Sequence, residues 1–185
     1  MSLGSEFDRV LDEARAGVPS AWRELYRDLA PSVDRYLRAR WLSAAEDVLG
    51  DTMVSVVRSL PTFDGGENAF RGWAFAIARN HATDDLRRRL RRPSESANHD
   101  ALALVGPIGN TEEEAMRSLA TARVREVLAG LTDDQREVLL LRLVAGLTID
   151  EIALSLGRRP GAVKMLQARG ISAIRRKIST GAVTL

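Results

Sequence analysis

Cysteine is absent from this 185-residue chain, which excludes disulfides, thiolate zinc sites and cysteine nucleophiles. Histidine is nearly absent. His81 and His99 stand in unrelated contexts, and no His-Glu-x-x-His spacing places two imidazoles on one helix face. Aromatic residues make up only 5%, so the core must come from Leu, Val, Ala and Ile, a palette that favours helices. No stretch of Val, Ile, Thr and aromatics alternates with period two between turn signals, so strands are not expected. No apolar run approaches the roughly 20 residues needed to span a bilayer. Met1 to Ser5 carry neither a basic region nor an apolar stretch, so no secretory signal is expected and the cytoplasm is the expected location. There is no P-loop and no Gly-rich strand-to-helix turn, and Asp84-Asp85 beside arginines makes too small a carboxylate group for a nuclease metal site. No catalytic residue, metal ligand, cofactor or small-molecule substrate is therefore assigned.

What the chain does contain is helical spacing, in two groups. Phe7, Val10, Leu11 and Ala14 form a short stripe that ends near Gly17. Pro19 suits the first turn of the next helix, with Trp22, Leu25, Tyr26 and Leu29 as its apolar positions, and Pro31 predicts a break or restart. A helix follows over about 44–60, with Val48, Thr52, Met53, Val56, Val57 and Leu60 on one side. After the loop 62–68 a long helix covers about 69–91, turned inward through Phe70, Trp73, Ala74, Ile77 and His81. From Pro93 to Asn110 Pro, Ser, Asn and Gly dominate, the composition of a linker. The second group begins near Thr111, with Met116, Leu119, Ala120, Val124, Val127 and Leu128 inward and Gly130 as its stop. Thr132 with Gln135, and Thr148 with Glu151, fit capping boxes, and Gly157 fits a left-handed helix stop.

The formal net charge of +2 conceals strong segregation. Phe70 to Arg92 holds seven arginines against Asp84 and Asp85. Gly157 to Lys177 holds seven basic residues and no acid. Between them, Pro93 to Ala115 holds five acids and no base. Two basic blocks flanking an acidic connector point to two separate contacts with a polyanion.

The segment Leu147 to Arg169 reads as a helix-turn-helix. A short capped helix carries Ile152, Ala153 and Leu156 inward, a Gly-led turn follows, and Pro160 opens a second helix with Val163 and Leu166 inward. Ala153 is small enough to let the two helices cross closely. The second helix would enter the major groove with Lys164, Met165, Ala168 and Arg169, with Gln167 at its margin. Arg158 and Arg159 at its start would meet phosphate.

Three stretches together resemble the extracytoplasmic-function (ECF) branch of the bacterial RNA polymerase sigma factors. Ala44-Ala-Glu-Asp-Val-Leu-Gly-Asp-Thr-Met-Val-Ser-Val-Val-Arg58 resembles that family's polymerase-binding helix. Phe70-Arg-Gly-Trp-Ala-Phe-Ala-Ile-Ala-Arg-Asn-His-Ala-Thr-Asp-Asp-Leu-Arg-Arg-Arg89 is similar to its promoter-melting helix. Thr132 to Arg176, with Gln135-Arg-Glu-Val-Leu-Leu-Leu-Arg142, is similar to its C-terminal region. The resemblance implies an all-α fold of two small helical domains joined by a flexible linker. These would be a region 2-like domain at 1–92, an acidic linker at 93–112 and a region 4-like helix-turn-helix domain at 113–185.

It also implies roles. The first domain would bind the clamp of the polymerase largest subunit through Glu46, Asp47, Leu49, Asp51, Val54 and Arg58, and the second would meet the flap of the second-largest subunit. Phe63, Asn68, Arg71, Arg79, Asn80, Arg87 and Arg88 would serve the downstream (−10) element. Asn80 would bond a flipped base, the arginines would hold phosphates, and the loop 63–68 would edge the pocket. Asp84 would pair with a nearby arginine. Arg158, Arg159, Lys164, Met165, Gln167, Ala168 and Arg169 would serve the upstream (−35) element. An anti-sigma protein is the further implied partner. Gly50 stands where the family usually has Gln, Asp51 where it has Glu, and Arg159 where it has a Ser or Thr cap. Two rivals stay open at this point: a repressor or activator that binds duplex by itself, and a protein-interaction module.

Overall fold

Two sequence-coded caps set the frame of the C-terminal half. In the computed structural model, which describes residues 3–40, 44–91, 124 and 126–179, the Thr132 hydroxyl accepts from the Gln135 amide at 3.3 Å while the Gln135 side chain accepts from Thr132 N–H at 3.2 Å. Thr148 and Glu151 repeat the arrangement at 3.2 and 2.6 Å. Each box satisfies two amide groups that the first helical turn leaves unpaired. Gly157 closes its helix at φ 60°, in the left-handed region that glycine enters without steric cost.

The described residues include α1 (Phe7–Arg15), α2 (Pro19–Ala39), α3 (Ala45–Ser59), α4 (Glu67–Arg91), α5 (Asp133–Leu139), α6 (Ile149–Leu156) and α7 (Pro160–Ser179), with further helical residues at 126–129 and no strand among them. A 3₁₀ turn at Gly4–Glu6 precedes α1, and another, Leu60–Thr62, leads from α3 into the loop before α4. Beyond α5 the chain takes one wider turn over Leu140–Val144, where the Ala145 amide reaches back to Leu140 O at 3.1 Å and the Leu147 amide to Leu141 O at 3.0 Å. Such wide turns shift the side-chain phase of a helix.

Pro31 does not break its helix; α2 runs through it. Proline removes one backbone donor there, and Leu25, Leu29, Val33 and Leu37, each at most 1% exposed on either side of it, hold the two halves in line. Three apolar positions expected to face inward lie open instead: Tyr26 is 43% exposed, Val57 43% and Val124 54%. Met116, Leu119, Ala120 and the linker fall outside the described residues.

Helix α4 has no single apolar stripe because it is covered on more than one side. Phe70, Ala74, Ala78 and Ala82 are buried in the first lobe, whereas Gly72, Phe75 and Arg79 share another face by helical spacing. Phe75 is fully buried and meets Tyr36 edge-on, ring centres 5.6 Å apart. Helix α6 lies against α4, and buried residues of both lobes, from Val10 to Val163, form one apolar cluster.

Candidate polymerase and nucleic-acid interfaces

Helix α3 buries Ala45, Val48, Thr52, Met53 and Val56 and turns Glu46, Asp47, Asp51, Val54 and Arg58 outward, with Leu49 half-buried between the faces. Glu46 and Asp47 stand in the first turn and Arg58 in the last, each at the end of the helix dipole that favours it. The outward Val57 lines a pocket of about 240 Å³ with Ala14, Val18, Trp22, Leu60 and Pro61, an apolar recess at the C-terminal end of α3, opposite the acids of its first turn. Gly50 has open space where a Cβ would sit, so no packing demand explains it.

The loop before α4 is held from three sides. Arg15 of α1 donates to the Phe63 carbonyl. The Phe63 ring packs on Trp73 at 4.8 Å and edge-on to Phe70 at 5.6 Å. A side chain at Gly65 would meet Ala69 Cβ at 2.9 Å and the Phe63 ring at 3.0 Å. Phe63 is thus half-buried in an aromatic stack, while Asn68 and Asn80 are exposed. His81 joins α4 to α3 through Ser55 Oγ at 2.8 Å and is accounted for by packing.

The arginines of α4 are largely engaged. Arg87 pairs with Asp84 at 3.2 Å, as expected of that acid, and Arg88 and Arg89 pair with Asp85 at 3.8 and 2.7 Å. Arg79 is half-buried, its Nε without a partner. Arg71 points away from solvent, its side chain 15% exposed, and bridges Asp28 of α2 at 3.3 Å and Glu151 of α6 at 3.1 Å. Burial pushes the Asp28 carboxyl above its ordinary range against the opposing pull of Arg71.

Beside this bridge lies a second. Glu137 of α5 accepts from the Tyr36 hydroxyl and from Arg40, and Arg40 also donates to the Tyr36 oxygen at 2.9 Å. Burial, then the nearby Glu137 charge, drives the Tyr36 phenol far upward, so it serves as a neutral donor.

Helices α6 and α7 make the expected helix-turn-helix. Ile152 and Val163 are fully buried, Ala153 is 5% exposed at the crossing, and the Gly157 turn joins them. Gly170 fits α7 against α5, since a Cβ there would meet Leu139 Cδ1 at 3.0 Å. The outward face carries Arg159, Lys164, Met165, Ala168 and Arg169, with Gln167 half-exposed. Arg158 is exposed but paired with Asp134 at 2.7 Å. Each residue that the sequence reading placed on this surface is exposed or half-exposed. That reading missed Arg15, Asp28, Arg40 and Glu137, which carry no motif, and it saw Glu151 only as a cap.

A helix-turn-helix lobe fixed to a four-helix lobe with an acidic α3 and an arginine-rich α4 defines a DNA-binding protein of the transcription apparatus. Residues 23–92 match the model of sigma-70 region 2, and residues 121–174 that of sigma-70 region 4. The chain is 31% identical over 184 residues to the ECF RNA polymerase sigma factor SigD of Mycobacterium tuberculosis, covering 95% of this chain and 85% of that protein. It is also 31% identical to ECF RNA polymerase sigma factor ShbA of Streptomyces griseus, covering 90% and 92%. Among solved structures, CnrH in complex with the cytosolic domain of CnrY shares the fold, with a TM-score of 0.68 at 23% identity over 92% of this chain and 96% of that one. The chain belongs to the ECF sigma factors and acts in transcription initiation. No described helix is long and apolar enough to cross a membrane.

Proposed function

We propose that this sigma factor divides its work at the boundaries read from sequence. Residues 1–92 bind core polymerase and open the −10 element, 93–112 connect, and 113–185 read the −35 element. The observation that carries the reading is the outward face of α7. It presents Lys164, Met165, Ala168 and Arg169 on a helix seated by Val163, and no described acid is paired with Lys164 or Arg169. A face so charged and so rigidly held suits base edges in a major groove, with Arg158, Arg159 and Gln167 at its borders.

On α3, Glu46, Asp47, Asp51 and Arg58 around Leu49 and Val54 suit a mixed polar and apolar groove on the polymerase clamp. Leu143, 69% exposed at the end of the wide turn, suits the flap of the second-largest subunit. On α4, exposed Asn80 would hydrogen-bond an unstacked base, and the loop held by Arg15, with exposed Asn68 at its end, would edge the pocket. Arg87 and Arg88, with Arg79 and Arg71, are the phosphate contacts. Phe63 forms the apolar floor of that loop. The protein works in the cytoplasm, performs no catalysis of its own, and takes an anti-sigma protein as its regulator.

Run-off transcription with core polymerase on a promoter-fragment library tests the reading and returns the recognised motif. Within it, Asn80→Ala should leave closed-complex binding intact and reduce permanganate reactivity of the opened strand about tenfold or more. Unchanged reactivity would remove Asn80 from strand opening.

A further inference from the structure

The loop before α4 is tied to the rest of the lobe at few backbone atoms. The Phe63 carbonyl accepts from Arg15 Nη2, and Arg15 Nη1 donates to Asp12 at 3.2 Å. The Phe63 amide turns back to Leu60 O at 3.1 Å, and the Phe70 amide reaches Gly66 O at 2.9 Å. Between these ties, the amides of Asp64, Gly65 and Gly66 donate to no acceptor among the described residues. The other side of the loop is packed. The Phe63 ring lies on Trp73 and Phe70, and Gly65 lies against that ring and Ala69.

Arg15 works from a fixed base. It ends α1, which is anchored by Val10 and Leu11, at most 2% exposed, and by Phe7, whose ring centre stands 5.5 Å from that of Phe70. Its Nε is buried without a partner. A buried donor left unpaired is destabilising, so stability does not by itself account for an arginine at this position.

The bond from Arg15 sets a direction. A peptide group is planar and trans, so its N–H points opposite to its C=O. With the Phe63 oxygen drawn toward α1, the Asp64 N–H points away from α1, on an exposed residue with no protein acceptor to meet it. Once the carbonyl is released, compensating changes in Phe63 ψ and Asp64 φ turn this peptide plane without moving a ring or a helix. The donor then loses its fixed aim.

We propose that Arg15 is a positioning residue for base selection: by holding the Phe63 carbonyl it presents the Asp64 N–H to an unstacked base of the downstream element. The inference rests on the assignment of this loop to that element. Arg15 touches no nucleic acid; it acts through one peptide group. A single donor with a preset direction favours bases that turn an acceptor toward it. It discriminates better than the same donor on a loose loop, because no ordering remains to be done on binding.

The test is run-off transcription with core polymerase and the full chain, on promoter fragments randomised through both elements and barcoded in the transcribed region. Arg15→Ala should flatten the base preference at one downstream position about five- to tenfold. Preferences at the other downstream positions and throughout the upstream element should stay within about twofold. Arg15→Lys keeps a donor for Phe63 O and has no Nε to bury, so it should retain the preference. Asp64→Pro removes the N–H itself, and the extended Phe63 backbone, φ −73° and ψ 129°, suits a following proline. It should flatten the same position, and the double variant Arg15→Ala with Asp64→Pro should flatten it no further, since both act through one bond.

An Arg15→Ala profile that is unchanged, or lowered alike at every position, would overturn the proposal. So would flattening by Arg15→Ala and Asp64→Pro at different positions, further flattening in the double variant, or Arg15→Lys as flat as Arg15→Ala. If Arg15→Ala lost its cooperative thermal transition, the pair Arg15→Lys and Asp64→Pro would still decide, with an unchanged Asp64→Pro profile overturning the role. A wild-type profile flat across the downstream element but selective upstream would defeat the assignment of the loop itself, and this role with it.

Discussion

The two basic surfaces of this protein carry comparable numbers of cations and hold them differently. On α7, Lys164 and Arg169 stand outward with no described acid paired to them. On α4, Arg87, Arg88 and Arg89 are matched to Asp84 and Asp85 one turn away, and Arg71 is drawn into the seam by Asp28 and Glu151. On the proposed assignment, the first surface meets a duplex that is already shaped, and the second meets phosphates with arginines that are paired to acids in the free chain. That difference suits the two tasks: duplex recognition needs a rigid, displayed helix, whereas strand opening exposes phosphates and bases only as it proceeds.

The largest expected effect comes from the residue that ties the halves of α4 to the rest. Phe75→Ala removes a fully buried ring packed on Tyr36 and should lower unfolding stability by about 3–5 kcal/mol, read by urea denaturation. A loss below about 1 kcal/mol would show that the second face of α4 is not part of the core. Next, Lys164→Ala or Arg169→Ala should weaken upstream-element binding by about 1–3 kcal/mol each if they reach base edges. Footprinting of the downstream element on a consensus promoter should hardly change. Equal loss at both elements would erase the contrast between the surfaces.

Smaller still, Gly50→Ala should stabilise the first lobe by about 1 kcal/mol, because the position is mid-helix, exposed and free of neighbours. Thermal denaturation measures it. A drop in stability would mean α3 is not helical through residue 50. The smallest effect belongs to Asp84→Asn, where an exposed pair with Arg87 contributes well under 1 kcal/mol. Its value lies in the comparison: freeing Arg87 should strengthen single-strand binding slightly at low salt, by nitrocellulose retention, and leave duplex binding by α7 unchanged.

Much of this architecture could be read before any coordinates. Thr132 with Gln135, Thr148 with Glu151, and Gly157 announce helix ends through local hydrogen bonding and backbone freedom, which depend on neighbours within four residues. The recognition face of α7 was legible for the same reason: Val163 fixes the inward side, and the outward side follows from helical spacing.

What depends on distant partners was not legible. Pro31 signals a break locally, but packing on both sides of it holds α2 together. Phe75 lies off the stripe of Phe70 and Ala74, yet it is buried against Tyr36 of α2, a partner 39 residues away in sequence. Glu151 does two jobs with two oxygens, and sequence shows only the cap. Arg71 was expected at phosphate, and the structure places it in a buried bridge 80 residues long in sequence between Arg71 and Glu151. Val57 and Val124 obey the helical period yet lie open, since period gives a face and says nothing about what covers it.

The central claim is that this chain holds a promoter only as part of the polymerase, through two lobes at once. Fluorescence anisotropy of a labelled promoter fragment carrying both elements measures it directly, with the purified chain alone and with the chain bound to core enzyme. The account expects binding at least a hundredfold tighter in the presence of core, falling when either element is scrambled. Equal affinity for the fragment with and without core polymerase would contradict it.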